Sequence, residues 1–442
     1  MPWSSKIPNQ SLLINYGYYP PMSSLGWVDF SSDHRERVKS VIDQLSAPGV
    51  IDELGIGVIR DSFSDELFPG LSTIQTRAKY YVTIPRIFKD YEKLAPRLRR
   101  KLRLESYLMQ QENLCMQSFV SNHESDPQPG IIGESFAGKQ GEVQRKPSSV
   151  YWTGIRSFRI VRSNLSLSSF CRRFANPDQP LHDLISGSDK MQGDDQDAMG
   201  DFKYAIATPE YPDDWIASLS MHLSRDEASF LSQQIASCVP NSLLGQLLLD
   251  PKLRQSFVSM PSEWGFTDFV GQAPFLDKLP DDLLRVIFAA RDFWQLFYGA
   301  HIRYNCLIQE KAGQKELLTD FNERWEKWLS DLASFDWKRW NTALLWQLAS
   351  KNKRWIKDHT VVFVDSWING IQKGASTDML DKLVVKQEIN NKRIQKARLY
   401  PSTEVSENAW VGIADLNYRI NVAKVIIRDI DEGLDRKGNS NA

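Results

Sequence analysis

Between residues 86 and 102 the apolar side chains Ile87, Phe88, Tyr91, Leu94, Leu98 and Leu102 recur at helical spacing, and the cations Arg86, Lys89, Lys93, Arg97 and Arg100 recur on the other side. At about 100° per residue the two stripes are nearly opposed on one helix. A chain with this pattern must bury one face against other helices and turn the other outward. Pro96 interrupts it. Proline lacks the amide hydrogen and crowds the preceding turn, so the helix should kink or split there.

The flanking sequence repeats the helical theme. Asp33 with Glu36 reads as a capping box before Val38, Val41, Ile42 and Leu45, and Pro48-Gly49 ends that run. Val58 to Leu67 predicts a helix stopped by Pro69-Gly70, and Ser72 or Thr73 is placed to cap another that carries Ile74, Ala78, Tyr81 and Val82. Leu283 to Leu307 is apolar almost all round, which suits a helix at the centre of the C-terminal half, and LNYRINVAKVIIRDIDEGL predicts a closing helix. Strand signal is confined to SSVYWTGIRSFRIVRS, around residues 149–161, where a helix fits nearly as well. The expected fold is mainly α, a multi-helix globular protein with at most a few short strands.

A chain of 442 residues is long for one compact core, so two or three parts are expected. Residues 121–149, rich in Gly, Pro and Ser, read as a linker. It divides an N-terminal helical part with a basic face (22–120) from a middle part with an acidic loop near 186–201 (150–240), followed by a Trp-rich helical part (241–434).

The formal net charge is −1, so any electrostatic signal must lie in how charge is distributed. Arg86 to Arg103 holds eight Lys/Arg against Asp90 and Glu92, and Arg156 to Arg173 holds five Arg and no acid. Clustered cations are what phosphate contacts require. The expected contacts to a nucleic-acid backbone, most simply duplex DNA, are therefore Gln75, Arg77, Lys79, Arg86, Lys89, Lys93, Arg97, Arg100, Arg156 and Arg159. The plainer role for such a stripe is to solvate the outside of an amphipathic helix.

Other motifs are weaker. Gly133 to Lys139 nearly spells a phosphate-binding loop, but Gln140 stands where a Mg²⁺-binding hydroxyl belongs, and a linker coincidence is the better reading. Gly55-Ile56-Gly57 has Arg60 at the third glycine position of a dinucleotide fingerprint. Asp178, Asp201 and Lys203 loosely resemble the two carboxylates and lysine of a metal-dependent nuclease, but the acidic, Gly-rich stretch between them argues against a rigid metal site. Trp325, Trp328, Leu332 and Phe335 fall at helical spacing, with Trp337, Trp340, Trp346, Trp355 and Trp367 beyond; such rings can stack bases, but core packing is the first expectation. His301, Tyr304 and Asn305 should form a satisfied polar network on a buried helix. The four cysteines, Cys115, Cys171, Cys238 and Cys306, have neither CxxC spacing nor His at ligand distance, so no metal, cofactor or disulfide framework is expected. No apolar run of about 18 residues exists to span a bilayer, and residues 1–21 lack the build of a signal peptide. A cytoplasmic protein without membrane contact is the expectation.

Five blocks carry a resemblance. These are MSSLGWVDFSSDHRERV, DELGIGVIRDSFSDELFPGLSTIQTRAKYYVTIPRIF, KPSSVYWTGIRSF, FYGAHIRYN and LNYRINVAKVIIRDIDEGL. Together they resemble an uncharacterised prokaryotic family, a domain of unknown function, over Met22 to about Leu434; residues 1–21 lie outside it. The resemblance implies a setting beside helicases and phospholipase-D-like nucleases in phage-defence or DNA-modification gene clusters, and carries over no catalytic residue. The combined expectation is a DNA-associated accessory or adaptor protein working with a helicase or nuclease. The alternatives are a metal-dependent nuclease and a protein-binding scaffold without nucleic-acid contact.

Overall fold

A computed structural model describes residues 52–123, 125, 130–137, 145–174, 206–351 and 355–436. The helix expected after Asp33 lies outside them. Among the described residues the protein is all α: sixteen α-helices and no strand, with one isolated antiparallel bridge between Val161 and Ile206.

Helix α1 (Gly57–Leu67) starts where Asp52 accepts the amides of Ile56 at 3.0 Å and Gly57 at 2.7 Å, and ends just before Pro69-Gly70. Its apolar side, Ile59, Phe63 and Leu67, is fully buried. The next helix begins later than the Ser72 or Thr73 cap implied. Residues 72–79 form turns held by long-range bonds: Thr76 and Arg77 donate their amides to the Tyr151 hydroxyl at 2.8 and 3.0 Å, and Gln75 Nε2 donates to the Gly70 carbonyl at 3.2 Å. Helix α2 therefore runs over Tyr80–Lys93. The stripe then splits as Pro96 demands, with Pro96 in the first turn of a separate short helix, α3 (Pro96–Lys101), which has no buried residue. The split also moves Leu98, placed on the apolar face by spacing, to the outside, 53 % exposed.

Helices α4 (Leu104–Asn122), α5 (Pro147–Ser157) and α6 (Leu167–Phe174) pack with α2. The segment that permitted a strand is thus α5: Pro147 opens it, and Tyr151 and Trp152 face a cluster with Tyr80, Tyr81, Phe88 and Phe170. A bundle of α7 (Arg225–Cys238), α8 (Leu243–Leu249), α9 (Pro251–Val258) and the closing α16 (Ile420–Asp435) follows. Helix α10 (Phe266–Gln272) leads into α11 (Asp281–Ala312), the long apolar helix. Around α11 pack α1, α12 (Lys315–Leu332) and α15 (Thr377–Lys392), while α13 (Thr342–Lys351) leans on α1 and α14 (Asp358–Gln372) on α15. Trp325, Trp328 and Trp367 are core, as helical spacing predicts; Trp355 stands 79 % exposed.

The polar face of α11 departs from one satisfied network. Asn305 clamps the backbone of Val411, donating to its carbonyl at 3.0 Å and accepting its amide at 2.7 Å. Tyr304 instead donates to Glu53 and Glu388, at 3.2 and 2.9 Å, in a buried cluster with Lys392 and Arg398. His301 has both ring nitrogens buried without a partner among the described residues, and burial pulls its pKa down to about 3. It packs as a neutral ring beside Trp294.

Candidate nucleic-acid interface

The structure sorts the ten expected contacts into two groups. The first four belong to the interior. Gln75 is buried in the turn described above, and Arg77 pairs with Asp429 at 3.0 Å while the amide of Ala78 donates to the same carboxylate at 2.7 Å. Lys79 and Arg86 converge on Glu227, at 2.7 and 2.6 Å, and all three side chains are buried. Glu227 also closes the capping box of α7, accepting the Ser224 amide at 2.8 Å. Burial pushes the Glu227 carboxyl up, but Lys79 and Arg86 outweigh it and hold the group below its ordinary pKa. The Arg86 guanidinium lies 5.1 Å from the Tyr211 ring centre and 5.8 Å from that of Trp215. These charges lock α2 to α7 and cannot reach a ligand without unfolding the contact.

Lys89 is half-buried, and Lys93, though exposed, pairs with Asp90 at 3.2 Å and lies over Tyr211. Arg156 turns inward enough to donate to the Leu165 carbonyl at 3.1 Å and to sit over Trp152. Arg159 is exposed at the end of α5 with a positive φ of 51°. The densest outward run of cations is α3 and its exit, where Arg97, Arg100, Lys101 and Arg103 are all exposed. Three successive basic residues, Arg99, Arg100 and Lys101, occupy the last turn of α3, where cations also complement the helix dipole.

Arg103 connects this surface to a cleft. Between α4, α5 and α6 lies an opening of about 780 Å³ whose rim carries Arg103, Lys146 and Arg172, so the two basic runs of the sequence meet there. Its floor holds Glu112, buried among apolar residues of α4. The Ser148 amide donates to Glu112 Oε1 at 2.6 Å, while Oε2 has no partner among the described residues. Burial pushes the carboxyl up to about 7 against the lowering effect of the Ser148 bond and of Lys146. Sequence reading passed over Lys146, Arg172 and Glu112. The available signal was a single acid on a helix face otherwise made of Leu104, Leu108, Cys115 and Phe119.

Asp178, Asp201 and Lys203 lie outside the described residues, as do Gly138 and Lys139 of the loop-like motif, while Gly133 is a left-handed residue before a single 3₁₀ turn. Among the described residues no three His, Cys, Asp or Glu are grouped to hold a metal, the four cysteines are free, and no helix is long and apolar enough to cross a membrane.

Fold and site together define an all-α protein with an exposed cationic helix that runs into a polar cleft. The chain belongs to the family of unknown function DUF6361, whose model matches residues 22–433. Comparison with curated proteins and with solved structures gives no match.

Proposed function

We propose that the protein is a nucleic-acid-associated accessory protein that grips phosphates through α3 and its exit, without reading sequence. The observation that carries this reading is a helix with no buried residue and three exposed cations, Arg97, Arg100 and Lys101, followed by the exposed Arg103 and leading to a cleft with two more basic residues at its rim. The helix is tied to α2 by bonds from the Tyr91 hydroxyl to backbone carbonyls rather than by a buried apolar face, and clustered cations without a recognition element suit backbone contacts. Duplex DNA is the proposed partner, and an adaptor role beside a helicase or nuclease in a phage-defence or DNA-modification system is the proposed setting.

Fluorescence anisotropy with a labelled duplex at rising salt tests it. Four engaged cations should give a log–log slope of about 3 to 4, at roughly 0.9 per phosphate contact. No binding at low salt would overturn the reading in favour of a face that docks an acidic protein.

A further inference from the structure

We propose that Trp355 and the cations around it bind an unpaired strand of nucleic acid, with one base stacked on the indole ring and the backbone on Lys357, Arg393 and Lys396. This contact differs in kind from the duplex grip of α3 and is made by other residues. Folding usually covers most of a tryptophan, and the other tryptophans among the described residues are buried or half-buried. Trp355 is 79 % exposed. Its place in the chain explains why. Residues 355–357 lie outside any helix, Ile356 is half-buried, and side chains two apart in an extended segment point to one side. Trp355 and Lys357 therefore stand out together ahead of α14.

Lys357, Arg393 and Lys396 are exposed at this end of α14 and α15, and none makes an ion pair among the described residues. Lys357 Nζ lies 3.5 Å from Asn391 Oδ1 in the last turn of α15, and Asn391 is itself fixed by donating to the Asp52 carbonyl at 2.9 Å. Two residues on, Arg393 leaves the helix with φ 67° and ψ 157°, a backbone region that residues with side chains rarely adopt and that collects at ligand sites. Lys396 follows in the next turn. The acid beside them is Asp358, exposed at the start of α14, and three cations against one acid suit a polyanion. From the same end an opening of about 260 Å³ runs between α14 and α15, past His359, Val362, Leu383 and Lys386. A cationic groove with an aromatic platform is how single strands are held, because every base has a face to stack. An exposed tryptophan can instead be an anchor that a protein partner buries. The surrounding cations favour the strand.

Fluorescence anisotropy on the full chain separates the two, with a labelled single-stranded oligothymidylate of about 12 nucleotides, within the range such grooves occupy, beside an abasic strand of the same length. The base-bearing strand should bind at least about fivefold more tightly than the abasic one, since stacking one base is worth a factor of roughly five to over a hundred. Trp355→Ala should abolish that preference, and Trp355→Phe, which keeps a ring, should retain most of it. Lys357→Ala with Lys396→Ala should flatten the log–log salt slope on the single strand by about 1.4, two contacts at roughly 0.7 each. Equal affinity for the two strands in the parent protein, or a base preference that survives Trp355→Ala, would overturn the proposal and leave the ring as an anchor for a protein partner. If the single strand fails while the duplex still binds through α3, this site falls and the proposed function stands. If the duplex fails while Trp355-dependent binding of the single strand holds, the α3 assignment falls and this site stands.

Discussion

Lys79 and Arg86 at one end of the basic stripe, and Arg97 and Lys101 at the other, are alike in residue type and close in sequence, yet their environments are opposite. The first pair is buried on Glu227; the second is exposed on a helix with no fully buried residue. What separates them is a partner 148 residues away from Lys79, brought in by α7, and a proline that detaches α3 from α2. A cation stripe therefore does not define a binding face by itself. Its function is decided by which of its members the rest of the fold supplies with carboxylates.

This contrast predicts a gradient of effects. Glu227→Ala should be the most damaging change, because it leaves Lys79 and Arg86 buried without their counter-charge and opens one half of the α7 capping box. Breaking a buried pair in this way costs about 3–5 kcal/mol, which chemical denaturation would measure. A loss below about 1 kcal/mol would show that water reaches the cluster and that the two ends of the stripe differ less than the geometry implies.

Glu112 gives a pH test of the same principle at the cleft. Its folded-state pKa is raised from 4.5 to about 7, so the folded protein holds this proton after the unfolded chain has released it. Its contribution to stability is therefore intact below about pH 4.5, falls as pH rises toward 7, and is flat above. Glu112→Gln should remove that decline and raise stability above pH 7 by up to about 3 kcal/mol, since each pKa unit is worth about 1.4 kcal/mol. Paired denaturation curves at pH 5 and 8 would show it, and an unchanged pH dependence would mean that the carboxyl is solvated.

At the exposed end, Arg97→Ala with Lys101→Ala should change stability by no more than about 0.5 kcal/mol, as surface substitutions away from packed features do. A larger loss in thermal denaturation would show that α3 is a structural element, and would erase the contrast.

Much of this was legible in the sequence where the cause is local. The Val58 to Leu67 helix, the break at Pro96, the apolar length of α11 and the closing helix all follow from spacing and from proline or glycine punctuation, and the structure has them. The α2 start was misplaced because Tyr151, some 75 residues on, occupies the amides that a Ser72 or Thr73 cap would have freed for a helix. Where strand and helix fitted nearly equally well, around residues 149–161, the helix forms because the aromatic and β-branched residues pack on α2, and only Val161 makes a bridge. The candidate contacts were half legible: charge clustering finds the stripe, but Asp429 and Glu227, which claim Arg77 and Lys79, are related to them only through the fold.

The most direct test of the central claim is the salt dependence of duplex binding by the Arg97→Ala, Lys101→Ala double variant beside the parent protein. If the exposed end of the stripe makes the phosphate contacts, the log–log slope should fall by about 1.8, two contacts at roughly 0.9 each, with the fold unchanged. A slope equal to that of the parent would contradict the account, because the contacts would then have to come from somewhere other than α3.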